Sequence, residues 1–112
     1  MANLKDLSLD FSVDVLKACE DMQGHRAVVH QLERAATSIG ANSREAHYAQ
    51  SRADFISKLQ IALKECHETE YWLELIQRVQ ILEDARVTAL LHSAGVLRRM
   101  LISSITTAKS HA

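Results

Sequence analysis

The densest group of side chains able to do chemistry is the stretch Glu65-Cys66-His67-Glu68-Thr69-Glu70, which combines carboxylates, a thiol and an imidazole. These groups are typical zinc and di-iron ligands. A helix turns about 100° per residue, however, so neighbours in this stretch point in different directions and only a few pairs share a face. A di-metal bundle site needs Glu-x-x-His on each of two helices, and no glutamate here has a histidine three residues later. We interpret the stretch as a solvated acidic face and predict no metal or cofactor.

Catalytic motifs are equally absent from the sequence. It contains no His-Glu-x-x-His, no glycine-rich phosphate loop and no nucleophile elbow, and its six histidines are scattered. Cys19 and Cys66 form neither a Cys-x-x-Cys pair nor a secreted disulfide framework. Both fall on apolar helical stripes, where a free thiol packs as a small hydrophobe. The sequence therefore predicts a non-enzymatic protein in a reducing, cytoplasmic setting, with no apolar run near the roughly 20 residues of a membrane span. A metal-dependent bundle enzyme is a distant alternative.

Basic side chains offer a second kind of chemistry, contact with nucleic acid. The net charge of −1 and the pI of about 6.6 provide no global attraction to phosphate. The charge alternates in sign between successive segments, which favours their mutual packing. Basic residues still gather on the second and fourth segments, and the candidates for phosphate contacts are Arg26, Arg34, Arg44, Arg98, Arg99 and Lys109.

The elements that must position these residues are helices. The chain has no proline and three glycines, whereas proline interrupts helices and both residues favour turns. Apolar residues recur at alternating three- and four-residue spacing, the seam of helices packed about 20° from antiparallel. The pattern predicts helices over about 8–23, 26–50, 53–82 and 84–108. Because the connections are short, we predict one all-α domain over residues 1–112, an up-down-up-down antiparallel four-helix bundle.

Local features refine this prediction. Gly24 is a left-handed stop for the first helix, and Ser51 is a plausible N-cap of the third. Folding the last two helices back on each other at residues 83 and 84 puts Glu70 level with Arg98, which predicts a partly desolvated ion pair. Asn42 is the polar exception in an apolar seam, and we expect its amide to be buried and to fix helix register.

The third helix carries more apolar surface than one core can bury. Ile61, Trp72 and Leu75 lie roughly opposite its core stripe, with Tyr71 beside them. A helix that is apolar nearly all round is buried on both sides, and the bundle has no fifth helix to cover the second side. We predict that these four residues form a subunit interface anchored by the tryptophan. The alternative is scattered surface hydrophobes, which are normal on monomers.

Three strings within residues 31–75 match the pattern of one protein family: SIGAN followed by EA, DFI-KL-IALKE and ET-YWLEL. Two weaker matches lie outside this range, at DFSVDVLK and RRMLISSITTAK. In these strings the chain resembles the four-helix-bundle protein family associated with intervening sequences in 23S ribosomal RNA genes. The polar positions of the family pattern fall on Ser38, Asn42, Glu45, Glu65, Glu68 and Glu70. Ser43 departs from the pattern, because many relatives have an aliphatic residue there.

The resemblance implies a bundle that assembles into a homopentameric ring. Relatives also include accessory proteins of diversity-generating retroelements, which bind a reverse transcriptase and nucleic acid through a basic surface. This chain is slightly acidic, so that role is not carried over directly. The leading hypothesis is a non-enzymatic, homo-oligomeric interaction protein, whose partners are further copies of itself in a pentamer. The second is an RNA- or DNA-binding accessory factor that acts with a reverse transcriptase or ribonucleoprotein.

Overall fold

The computed structural model describes residues 3–111 and contains four α-helices: α1 (Leu4–Glu20), α2 (Arg26–His47), α3 (Arg52–Val79) and α4 (Asp84–Ser110). The predicted all-α fold is confirmed. α1 packs against α2 and α4, and α3 packs against the same two helices; across the described residues the diagonal pairs α1/α3 and α2/α4 make no Cα approach within 8 Å. The bundle is elongated, with extents of 46 × 22 × 20 Å.

Polar contacts between neighbouring helices join the end of one helix to the start of the other. Gln77 in α3 donates to Asp84 at the start of α4 at 2.9 Å. Lys58 near the start of α3 lies 3.4 Å from Glu45 near the end of α2. Arg86 in α4 donates to Asp21, just past α1, at 2.8 Å. This is the order of contacts expected when neighbouring helices run in opposite directions.

Two of the four helices, α1 and α3, start at a side-chain cap. Ser51 caps α3 as predicted, because its hydroxyl accepts a hydrogen bond from the Asp54 amide at 3.0 Å. α1 begins four residues earlier than predicted, since the Asn3 side chain accepts from the Asp6 amide at 2.9 Å. An asparagine in this role satisfies one of the unpaired amides of the first turn.

The helix ends differ from the prediction by two or three residues. α1 ends at Glu20 rather than residue 23: Gly24 is left-handed as predicted, with φ 74°, but the helix has already stopped. α2 and α3 end at His47 and Val79 rather than at residues 50 and 82, and α4 continues past residue 108 to Ser110. α3 stops where Gln80 adopts a left-handed φ of 63°, a conformation that no helix continues through.

The core follows the predicted stripes except on α2. There the buried row steps from Ile39 to Ser43 and then to Ala46. Asn42 is only half-buried, and its Nδ2 donates to the Ser38 carbonyl of its own helix at 2.9 Å. The prediction that Asn42 is a buried amide fixing helix register is therefore wrong. With 3.6 residues per turn, steps of three and four are equivalent in the sequence, and packing selected the four-residue step here.

Candidate functional site

One stripe of α2 holds most of the predicted polar site residues of that helix. Arg34, Ser38, Asn42 and Glu45 follow at four-, four- and three-residue spacing, so they lie along one side of the helix. Both ends of the stripe contact α3, through Arg34 and through the Glu45–Lys58 ion pair. The stripe therefore borders α3, and we call this side of the bundle the α2/α3 face.

Arg34 is the centre of a hydrogen-bonded group on the α2/α3 face. Its Nη1 donates to Glu65 Oε2 at 3.2 Å, its Nη2 donates to Glu68, and its Nε donates to Gln31 Oε1 at 3.0 Å. Glu68 also accepts from the indole Nε1 of Trp72 at 3.0 Å. We call these five residues the Arg34 cluster. Since three donors of the guanidinium already have partners, Arg34 is poorly placed to bind phosphate.

The four predicted interface residues of α3 differ in their surroundings. Trp72 is half-buried, packs against the core and has its indole N–H bonded. Leu75 is also half-buried. Tyr71 is 57% exposed, with its ring edge-on to Trp72 at a centroid distance of 4.9 Å, and Ile61 is exposed as well. The exposed members of this predicted set are thus Tyr71 and Ile61, and Trp72 lies against the Tyr71 ring.

Glu70 lies on the opposite side of α3, facing α4. Arg98 Nε donates to Glu70 Oε1 and Oε2 at 3.2 and 3.3 Å, which confirms the predicted ion pair. Glu65 and Glu68 instead bond to α2, so the packing separates the carboxylates of the acidic stretch. Within residues 3–111, no group of three or more His, Cys, Asp or Glu side chains is arranged to hold a metal ion.

Cys66 lies in the core, between the side of α3 that faces α2 and the side that faces α4. Its Sγ donates to the Ala94 carbonyl at 3.3 Å. Burial, with a smaller contribution from the Glu70 charge, raises the pKa of Cys66 to about 12 against the lowering effect of Arg98. Burial and the Glu33 charge likewise raise the pKa of Cys19 to about 12. Both cysteines are therefore neutral thiols at physiological pH, which makes them poor nucleophiles and poor metal ligands.

Basic residues that have no ion-pair partner within residues 3–111 gather at one end of the bundle. Arg44 and Lys5 line a groove between α1 and α2 with a volume of about 310 Å³, and Lys5 Nζ lies 5.6 Å from the centroid of the exposed Tyr48 ring. Arg52 donates to the His111 carbonyl, which brings the end of α4, with Lys109, to the same place. We call Lys5, Arg44, Tyr48, Arg52 and Lys109 the basic end.

The remaining candidates for phosphate contacts are dispersed. Arg98 is paired with Glu70. Arg26 lines a cavity of about 610 Å³ where α1 turns into α2, at the other end of the bundle from Arg44. Arg99 is exposed on α4. Of the six predicted residues, only Arg44 and Lys109 therefore lie together at the basic end.

A second exposed apolar surface, missed by the sequence analysis, runs along α1. Leu9, Val13 and Leu16 are 48%, 42% and 41% exposed. They follow at four- and three-residue spacing, so they form one stripe on the side of α1 turned away from Phe11 and Val15 of the core. The same i, i+4, i+7 test that found the core stripe would have detected them. We call this stripe the α1 outer face.

No helix within residues 3–111 is both long enough and apolar enough to cross a membrane.

Comparisons with known proteins agree with this architecture. The sequence model of the family described as 23S rRNA-intervening sequence protein matches residues 3–103 and so includes residues of all four helices. Among solved structures, the chain is similar to a protein with unknown function from the S23 ribosomal protein family of Bacteroides thetaiotaomicron. The TM-score is 0.85 at 42% identity, and the alignment covers 92% of this chain and 98% of that one. No curated protein matches the chain.

Proposed function

The chain belongs to the 23S rRNA-intervening sequence protein family, and from this premise we propose that it is a non-catalytic, homo-oligomeric interaction protein. The observation that carries the proposal is the pair of exposed apolar surfaces, Tyr71 with Ile61 on α3 and the α1 outer face. Clustered apolar residues on a small soluble domain typically mark sites of protein association. The family resemblance supports five as the number of copies.

The polar groups of the molecule support a structural role. Glu65, Glu68 and Glu70 all accept hydrogen bonds from arginines of neighbouring helices. Carboxylates bound in this way hold neighbouring helices together. A scaffold that presents several copies of one surface is the function consistent with this arrangement.

The mass of the purified protein in solution tests the proposal. Size-exclusion chromatography with light scattering should give a mass close to five times that of the 12.5 kDa chain. Tyr71→Glu should lower this mass while helicity stays unchanged, because Tyr71 is exposed and does not support the core. Tyr48→Glu, a matched change of an exposed tyrosine at the basic end, should leave the mass unchanged. A monomeric wild type at tens of micromolar would contradict the proposal.

A second candidate function is favoured by the basic end. Exposed Tyr48 stands beside Lys5, and Arg44, Arg52 and Lys109 lie nearby. Cationic side chains around an aromatic ring are typical of single-stranded nucleic-acid sites, where bases stack and phosphates pair. A ring would repeat this weak site once per subunit and so raise the overall affinity. On this reading the protein is an RNA-binding accessory factor for a reverse transcriptase or ribonucleoprotein.

Fluorescence anisotropy with a labelled RNA that carries a single-stranded segment separates the two functions. Binding through the basic end should weaken steeply with salt and should be lost in Arg44→Ala/Lys109→Ala. The variant Arg34→Ala/Arg98→Ala removes the same charge from arginines already paired with glutamates, and it should bind RNA nearly as well as the wild type. Absence of binding at low salt would exclude this second function.

A further inference from the structure

We propose that the α1 outer face of one copy docks on the outer side of α3 of a second copy. This inference rests on the proposed homo-oligomer and names the two surfaces that form its interface. The two surfaces lie on helices that do not touch within the protomer, so both remain available to other copies.

The α1 outer face is bordered by acidic residues. Asp6, Val13 and Glu20 follow at intervals of seven residues, which places them nearly in line along the helix. All three side chains are exposed, and within residues 3–111 neither carboxylate takes part in an ion pair. Leu9 and Leu16 flank Val13 in the same surface. The α1 outer face is therefore an apolar stripe with a negative charge about 10 Å from its centre in each direction along the helix axis.

The outer side of α3 repeats this pattern with the opposite charge. Lys64, Tyr71 and Arg78 also follow at intervals of seven residues, and all three are exposed. Neither Lys64 nor Arg78 takes part in an ion pair within the described part of the chain. Ile61 and Leu75 supply further apolar surface on the same helix. We call Lys64, Tyr71 and Arg78 the α3 outer row.

The equal spacing makes the two surfaces complementary. When Val13 of one copy lies against Tyr71 of the next, Asp6 comes opposite Lys64 and Glu20 comes opposite Arg78. Each surface also carries one charge of the other sign. Lys17 lies four residues after Val13 on α1, and Glu74 lies three residues after Tyr71 on α3. In the same alignment these two side chains meet as a third pair.

The direction of the helices agrees with this alignment. α1 and α3 are both neighbours of α2 and α4, and both run opposite to them, so α1 and α3 point the same way. A rotation about an axis along the bundle preserves that direction and brings the start of α1 to the start of the partner's α3. Contact between two different faces related by such a rotation closes into a ring when the rotation angle is a whole fraction of a full turn.

Pairing of like faces is less favourable. Two α1 outer faces would bring four unpaired carboxylates together, and two α3 outer rows would bring four cations together. Like charges across an interface oppose association. The charges thus select α3 of a second copy, and not a second α1, as the partner of the α1 outer face.

Charge reversal tests the proposal by light scattering. Asp6→Lys/Glu20→Lys and Lys64→Glu/Arg78→Glu should each weaken association at least tenfold, giving mainly monomer at a concentration where the wild type is assembled. The four-residue variant that combines them should assemble again, since the charges are then exchanged between the faces. Glu83→Lys/Arg99→Glu, which reverses two exposed charges elsewhere, should assemble like the wild type. Circular dichroism and thermal unfolding check the fold of each variant, because Asp6 and Arg78 lie in terminal helical turns.

The outcomes separate this inference from the proposed function. If the wild type assembles and a two-residue variant keeps the same assembled mass, the docking of α1 on α3 is wrong. The proposed homo-oligomer would not be contradicted by that result. A folded four-residue variant that stays dissociated would also overturn this docking, since the two faces would then have other partners. A monomeric wild type would overturn both proposals.

Discussion

Arg98 on α4 reaches across the helix boundary to Glu70 on α3, with its Nε 3.2 Å and 3.3 Å from the two carboxylate oxygens. The side chains are 33% and 20% exposed, so the pair is screened less than one on the open surface. We expect a coupling free energy of about 0.5–1 kcal/mol between them. A double-mutant cycle of Glu70→Ala and Arg98→Ala, followed by urea unfolding, measures it. Additive effects of the two changes would show that the pair contributes no coupling.

Arg34→Ala should destabilise the fold by about 1–2 kcal/mol. The change leaves Glu65 and Glu68, both partly buried, next to each other without a cation. Urea unfolding measures the loss, and Arg44→Ala is the matched control, since an exposed arginine without an ion pair should contribute less than about 0.5 kcal/mol. Adding Glu65→Gln/Glu68→Gln to Arg34→Ala should recover part of the lost stability. Equal losses for Arg34→Ala and Arg44→Ala would contradict a stabilising role of the Arg34 cluster.

Ser43→Ala should stabilise the fold by about 1 kcal/mol. The Ser43 hydroxyl is buried in the α2 seam and has no hydrogen-bond partner among the described residues. A buried polar group without a partner carries its full desolvation cost, and alanine is also the better helix former. Thermal unfolding measures the effect, and Ser43→Thr, which retains the hydroxyl, should give no such gain. A lower melting temperature for Ser43→Ala would show that the hydroxyl has a partner in solution.

Gly95→Ala and Gly40→Ala should have different effects. A Cβ at Gly95 would meet only the ends of the Arg99 and Arg98 side chains, at 3.4 and 3.6 Å, which move easily. This change should stabilise α4 by about 0.5–1 kcal/mol. A Cβ at Gly40 would lie 3.1 Å from Ser12 Oγ and 3.3 Å from the Ser8 carbonyl oxygen of α1. Gly40→Ala should therefore be the less stable of the two variants in urea unfolding, and the reverse order would contradict close packing of α1 on α2.

Stability should fall as the pH rises above about 9. The pKa of Cys66 is about 12 in the folded chain, against an ordinary 9.0, so the unfolded chain loses the thiol proton first and unfolding becomes easier at alkaline pH. Cys66→Ala removes this titration, and its melting temperature should drop less between pH 8 and pH 10 than that of the wild type. Equal drops in the two proteins would contradict the raised pKa of Cys66.

Alkylation tests the same property near neutral pH. A shift of the pKa from 9.0 to about 12 reduces the thiolate fraction about a thousandfold. Iodoacetamide should therefore label the native chain far more slowly than the urea-unfolded chain. Fast labelling of the native chain would show that a cysteine is exposed in solution.

Much of the fold could be predicted because helical periodicity is a local property of the sequence. The spacing of apolar residues indicated four helices, Ser51 was identified as the cap of α3, and the Glu70–Arg98 pair followed from simple counting back from the turn. The error at Asn42 has the same origin. Asn42 and Ser43 differ by one step around the helix, and only the position of the neighbouring helices decides which of them is buried.

The functional surfaces depend more strongly on tertiary structure. The sequence indicated Trp72 as an exposed anchor of an interface, but Trp72 packs against the core and bonds to Glu68, and Tyr71 beside it is the more exposed residue. It also grouped Arg34 with Arg44, although carboxylates from α3 bind Arg34, whereas Arg44 has no ion pair among the residues that the structure describes. Long charged side chains choose partners across helix boundaries, which a single helical pattern does not record.

The amino-acid sequence by itself determined an all-α chain of the 23S rRNA-intervening sequence protein family with an excess of apolar surface on α3. Only the tertiary structure decided that α1 carries a second exposed stripe, that the acidic stretch of α3 is divided between two helix neighbours, and that basic residues from four helices meet at one end. The reason is physical: the repeat of 3.6 residues fixes which side chains share a face, but the rotation of each helix against its two neighbours fixes where that face points.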